Sequence, residues 1–147
     1  MMRAFLAFSP LVMLAACGGE GQLGPEAMVA GEAPQSQVQT GSVELLAEPE
    51  LANLLANDKV TLIDVRAPEE FAEGHIPGAI NYPVDDFDPA TIPAVAGKET
   101  ILYCRSARRS ERAAQMLAEH TGEKVRHLEG GILAWQEAGG EVVLPDQ

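Results

Sequence analysis

Cys104 opens the run Cys104-Arg105-Ser106-Ala107-Arg108-Arg109-Ser110, which holds the residue types that nucleophilic sulfur chemistry requires. Four of the ten basic residues of the 147-residue chain (Arg105, Arg108, Arg109 and Arg112) fall within eight consecutive positions. The whole chain carries a formal charge of −12, so a cationic island on it suggests an anionic ligand; a solvated basic helix face would give the same composition. A loop curling between a strand and a helix can aim several backbone N–H groups inward, and the helix N-terminus adds partial positive charge. Amide hydrogens and guanidinium groups favour a thiolate over a thiol, and the thiolate is the nucleophile. The same cradle suits a bound oxyanion and a persulfide anion. The competing reading is a buried structural cysteine at a strand end; Arg105, Arg108 and Arg109 so close by weigh against apolar burial. Ser106 is a candidate hydrogen-bond partner for the anion and Ser110 a candidate helix cap.

The elements that must position this loop are legible as an alternation. Ser42 to Leu46 reads as a weak strand, and Pro49 suits a helix start, with Leu51, Leu54 and Leu55 at helical spacing up to Asn57-Asp58. Val60 to Val65 is an apolar run of strand length, Pro68 to Glu73 a short helix stopped at Gly74, and Ala79 to Tyr82 a short strand before Pro83. Asp85 to Ala96 is expected to be an irregular connection with a helical turn or two. Thr100 to Tyr103 is a strand, Arg108 to His120 an amphipathic helix, Val125 to Leu128 a strand, and Ile132 to Glu137 a helix ended by Gly139-Gly140. Short buried runs alternating with amphipathic helices predict an α/β domain, a mostly parallel sheet covered on both faces. Ligands bind such sheets beyond the carboxyl ends of the strands, which is where Cys104 falls.

The first forty residues differ in kind. Met1-Met2-Arg3 followed by the apolar stretch Ala4–Ala16 is too short to span a bilayer, which takes about 20 apolar residues, but it suits a secretory leader. Its end, Leu14-Ala15-Ala16-Cys17, resembles the lipobox of bacterial lipoproteins. That resemblance implies cleavage after residue 16, a diacylglycerol on Cys17 and a cell-envelope location. Gly18, where inner-membrane retention would call for aspartate, implies the periplasmic face of the outer membrane if the cell has two membranes. Residues 17–41, from the lipidated cysteine on, are rich in Gly, Glu, Gln, Pro, Ser and Thr without periodicity and read as a flexible tether. Residues 42–147 form the single expected domain, and a hydrophobic share of 46% excludes wholesale disorder. The two cysteines thus have separate roles rather than a shared disulfide. The acidic charge argues against nucleic acid and against docking on a bare anionic bilayer, so the membrane is met through the N-terminal lipid only.

Three separated motifs now carry a specific resemblance. Asp64-Val65-Arg66-Ala67-Pro68-Glu69-Glu70-Phe71-Ala72-Glu73-Gly74-His75-Ile76-Pro77-Gly78-Ala79-Ile80-Asn81 resembles the rhodanese signature D-V-R-x-x-x-E-F-x-x-G-H-I-x-G-A-x-N. Leu128-Glu129-Gly130-Gly131 followed by Trp135 is similar to the C-terminal signature of the family, and Tyr103 to Ser110 to the active loop of its single-domain sulfurtransferases. The resemblance implies a rhodanese-like three-layer α/β/α fold with Cys104 as catalytic nucleophile. Arg105, Ser106, Ala107, Arg108 and Arg109 would form the substrate cradle. Cys104 would take the outer sulfur of a small anionic donor such as thiosulfate and pass it to cyanide or a thiol, a two-step covalent mechanism. The family often has glycine where Ala107 stands; if that position needs a positive φ, alanine is strained by roughly 1–2 kcal/mol.

The remaining signature residues have structural readings. Asp64 is expected to ion-pair with Arg66 or a loop arginine as scaffold, with Arg66 and Ser110 as support. Gly74, Gly78, Gly130 and Gly131 read as turns and close approaches, His75 as a turn histidine and Trp135 as core. His120 and His127 have no metal-ligand spacing with Cys104, so neither metal nor cofactor is expected. Two other functions compete. Rhodanese-like phosphatases and arsenate reductases use C-x5-R, a loop one residue longer; here the sixth place after Cys104 is Ser110. A tethered sulfur carrier or a non-catalytic binding module is the other, and the presence of Cys104 weighs against simple inactivity.

Overall fold

A computed structural model describes residues 41–145; Cys17, the leader and most of the expected tether lie outside the described residues. Within them the order is β1 (Val43–Leu46), α1 (Glu48–Ala56), β2 (Val60–Asp64), α2 (Pro68–Ala72), β3 (Ile80–Asn81), β4 (Glu99–Tyr103), α3 (Arg108–Thr121), β5 (Val125–Leu128) and α4 (Gly131–Glu137). The five strands form one sheet in the order β1-β5-β4-β2-β3, and every pairing is parallel. All five residues of β2 are buried, as expected of a strand enclosed between two neighbours and two layers of helix.

Alternation along the strands divides the core. On one face Ile63, Leu102 and Val125 meet α3 through Ala113, Ala114, Leu117 and Ala118. On the other, Leu46, Leu62, Ile101, Tyr103 and Leu128 meet Leu51 of α1 and Ile132 and Trp135 of α4. This is the expected three-layer α/β/α sandwich. Helix α3 buries Ser110, Ala113, Ala114, Leu117 and Ala118, the one-stripe spacing of an amphipathic helix. Its small side chains let it lie close over the sheet.

Element limits follow local chemistry. Of the expected strand at 79–82 only Ile80–Asn81 pairs in register; Tyr82 N–H still donates to Asp64 O (2.8 Å), and Pro83, without an N–H, stops the ladder. The connection to β4 holds two 3₁₀ turns, Val84–Asp86 and Pro89–Thr91, and Val84 and Phe87 turn into the core. Gly122, at φ 72°, ends α3 and donates its N–H to Ala118 O. Parallel register places the carboxyl ends of the strands on one edge: Asp64 faces both Asn81 and Tyr103, and Leu102 faces His127.

Candidate active site at the end of β4

Cys104 leaves β4 on the α3 side of the sheet, 1% exposed, grouped with Val84 and Leu102. The sulfur is therefore set deep rather than displayed. It forms the floor of a depression of about 420 Å³ whose other walls are Val84, Ser106, Arg108, Arg109 and Arg112. Four of the lining side chains are polar or charged, so a nearly buried sulfur shares its depression with three guanidinium groups.

Behind the loop, α4 fixes its carbonyls. Ile132 N–H donates to Cys104 O (2.8 Å) and Leu133 N–H to Arg105 O (3.3 Å). A Cβ on Gly131 would sit 2.4 Å from Cys104 O, so only glycine allows this approach. At the other end, Ala107 O accepts from Ser110 Oγ (2.9 Å) and Glu111 N–H (2.9 Å). In a trans peptide the C=O and the next N–H point in opposite directions. With those carbonyls turned back into α4 and α3, the N–H groups of Arg105, Ser106 and Arg108 point away from both helices. Among the described residues, no N–H from Arg105 to Ser110 donates to a protein acceptor. Six neighbouring amides with no protein acceptor, three of them opening α3, are donors that an anion at this loop could use.

Ala107 holds the turn at φ 76°, ψ −30°. The conformation that the sequence reading made conditional is the one present, and the alanine is strained there. Ser110, expected to cap the helix, does not: Ala107 occupies the cap position, and the Ser110 hydroxyl donates backward to its carbonyl instead of accepting from helix amides.

The arginines divide. Arg109 is gripped by both oxygens of Glu70 on α2 (2.6 and 2.8 Å). That pairing holds its pKa above the ordinary value against partial burial, with a further contribution from Cys104, and holds Glu70 below the ordinary carboxylate value. Arg108 and Arg112 line the same depression. The Arg105 side chain lies apart from the other loop arginines, in a cleft with Arg66, Glu70, Glu73, Leu133 and Gln136, so only its N–H belongs with the loop amides. Successive side chains leaving a strand alternate sides, so Cys104 on the α3 face puts Arg105 on the α4 face. Arg112, absent from the expected substrate contacts, lines the depression; its signal is the four-residue spacing from Arg108 on one helix face. Ser106 lines the depression, and Ala107 sits in the loop between it and Arg108.

Asp64 and Arg66 sit behind this arrangement as scaffold. Of the two partners left open for Asp64, Arg66 is the one present: its Nε lies 2.9 Å from both carboxylate oxygens, and its backbone N–H donates to Oδ1 at 3.0 Å. Arg66 Nη2 also donates to Gly74 O (2.8 Å). Burial works against the Arg66 charge, but Asp64 outweighs it and the guanidinium stays above its ordinary pKa. Tyr103 stacks near Arg66, accepts from Ile76 N–H (3.2 Å), and is pushed well up by burial and then by Asp64. His75 packs on Phe71 (3.8 Å between centroids) with Nδ1 on Phe71 O, and Trp135 is core with Nε1 donating to Glu141 O.

Comparison with known proteins agrees with this fold. The family model described as "Rhodanese-like domain" matches residues 48–138. An uncharacterized protein of Synechocystis is 44% identical over 64% of this chain, and the match spans 52% of that relative's own length. A protein of Allochromatium vinosum named "Sulfurtransferase" is 32% identical over 70% of this chain and 96% of its own. Among solved structures, a rhodanese-like domain protein of Staphylococcus aureus superposes with TM-score 0.59 at 30% identity, covering 70% of this chain and 99% of that one.

Proposed function

The chain belongs to the rhodanese-like domain family, and we propose that it is a sulfurtransferase that carries sulfane sulfur as a persulfide on Cys104. The observation that carries this reading is a cysteine sulfur on the floor of a pocket beside Arg108, Arg109 and Arg112, under a loop whose six amides have no protein acceptor.

In the first step the Cys104 thiolate attacks the outer sulfur of an anionic donor such as thiosulfate. A Cys104 S–S bond forms as the donor S–S bond breaks, and the electron pair departs with sulfite. The loop amides receive the charge left on the outer persulfide sulfur. Arg108, Arg109 and Arg112 bind the anionic donor and neutralise the departing sulfite. In the second step cyanide or a thiolate attacks that outer sulfur, leaving as thiocyanate or a new persulfide, and the Cys104 thiolate returns. This is double-displacement chemistry with one covalent intermediate.

The loop length supports sulfur over phosphate. A C-x5-R phosphatase needs a cation at the sixth position after the cysteine. Here that position is Ser110, fully buried and committed to Ala107 O, so it offers the pocket no charge. We further propose that the domain is held at the cell envelope by a lipid on Cys17, on the periplasmic face of the outer membrane where there are two membranes.

The test is an intact-mass measurement after incubation with thiosulfate, followed by cyanide and assay of thiocyanate. One added sulfur and catalytic thiocyanate formation are expected, both abolished in Cys104→Ser. No adduct on the wild type refutes the proposal; an adduct discharged once, without turnover, replaces the enzyme with a tethered sulfur carrier.

A further inference from the structure

Ser110 and His127 are polar, buried and unused by the transfer chemistry. Ser110 is fully buried and His127 is 3% exposed. They meet between α3 and β5, with Ser110 Oγ 3.3 Å from His127 Nδ1. The single hydroxyl proton goes to Ala107 O, so Oγ accepts from the imidazole and Nδ1 is the protonated nitrogen. Burial lowers the His127 pKa, opposed by Glu111. A serine with no exposure and its proton committed is no nucleophile. What it touches is the carbonyl of the strained residue.

That contact matters because of how little slack surrounds it. The Arg105 carbonyl is tied to Leu133 N–H on one side, and the Ala107 carbonyl is tied to Ser110 and Glu111 on the other. Between the two anchors, Ala107 stays at φ 76°. Releasing either anchor lets alanine return toward negative φ, which swings the preceding peptide and turns a carbonyl where the Ala107 N–H now points. A carbonyl aimed into the cradle would repel the anion that the cradle holds.

We propose that His127 and Ser110 are positioning residues for the Cys104 loop, a brace that runs from β5 through the serine hydroxyl to the left-handed turn at Ala107. The brace acts through Ala107 and touches no substrate. Its activity readout rests on the persulfide reading, so a second readout is kept independent of sulfur transfer.

The test is a double-mutant cycle between Ser110→Ala and Ala107→Gly. Glycine has no strain to release at this φ, so the brace should matter only while alanine is present. Ser110→Ala alone is expected to lower kcat/KM for thiosulfate about tenfold, the size of one lost buried hydrogen bond. In the Ala107→Gly background the same change should cost about threefold or less. His127→Asn, which keeps an N–H donor, should retain activity, whereas His127→Leu should match Ser110→Ala. Thermal unfolding checks that each variant is folded, and Ser110→Cys, which keeps the volume, serves if Ser110→Ala does not fold. Equal losses in both backgrounds overturn the proposal, as does a folded His127→Leu with wild-type activity. The rate of Cys104 alkylation by iodoacetate, an anionic reagent, should show the same non-additivity. If it does while the wild type takes up no sulfur, the brace stands and only the sulfurtransferase reading falls.

Discussion

Arg109 takes its direction from Glu70, and that pairing ties the pocket to pH. The Arg109 guanidinium, more than partial burial, sets the Glu70 carboxyl: its pKa lies below the ordinary value of 4.5. A carboxyl with a lower pKa folded than unfolded contributes stability above its unfolded value, and that contribution disappears as pH falls through the folded value. Glu70→Gln should therefore melt below wild type near neutral pH, and the gap should close as the pH drops below about 4.5. Thermal melts of both proteins across that range check it; a gap that stays constant would mean that Glu70 acts by packing. Around neutral pH the same variant should raise KM for thiosulfate more than it lowers kcat, because it frees Arg109 to leave the donor. At this scale the sequence was informative about type and poor about direction. Cys104, Ser106, Arg108 and Arg109 could be named because their chemistry is local. Arg105 could not be placed, since its side depends on which face of the sheet Cys104 takes. Glu70 as the Arg109 partner was hidden by the long separation between α2 and α3.

The loop is held by the elements around it, and α4 contributes by coming very close. Gly131 begins this helix at φ 64°, where a Cβ would stand 2.4 Å from Cys104 O and 2.7 Å from the Arg105 carbonyl carbon. Gly139, beyond the end of α4, has φ 83° with nothing within 4 Å of a built Cβ. The two glycines separate backbone strain from collision. Gly139→Ala should cost roughly 1–2 kcal/mol for the left-handed backbone alone, and Gly131→Ala about 2–4 kcal/mol because overpacking adds to it. Denaturant unfolding measures both, and only Gly131→Ala should also depress sulfur transfer, by pushing the Cys104 carbonyl off Ile132. Equal costs would remove the claim that α4 sets the loop. The sequence identified Gly131 as a close-approach position without its partner. Likewise it showed strands and helices through buried runs and one-sided stripes, nearly to their limits, while the order β1-β5-β4-β2-β3 stayed out of reach. Periodicity tells which face of a strand is covered; it carries no information on which distant strand lies alongside.

Across the whole domain, the parallel sheet separates the entry of the chain from the chemistry. Gly41 packs against the carbonyls of Ala118 and Glu123 near the end of α3, and β1 starts two residues later, in register with Val125 at the start of β5. Cys104 follows the carboxyl end of β4, and β4 runs parallel to β5 in the same sheet. Entry and candidate site thus lie at opposite edges, about 15 Å apart for strands of this length. A lipid on Cys17, as proposed, would be joined to the domain through the chain that enters at this amino edge, with the cationic pocket at the other edge of the sheet. The overall charge of −12 disfavours docking of the domain itself on anionic lipid, while the local arginines still draw small anions. Cys17→Ala in the full chain should therefore move the protein from the membrane to the soluble fraction, with kcat for thiosulfate and cyanide unchanged within about twofold, well under the tenfold that 1.36 kcal/mol would produce. Fractionation reads the first part and thiocyanate formation in intact vesicles against detergent-released enzyme reads the second. Protein that stays with the membrane removes the anchor; a rate that rises sharply on release removes the claim that the anchored domain keeps Cys104 accessible.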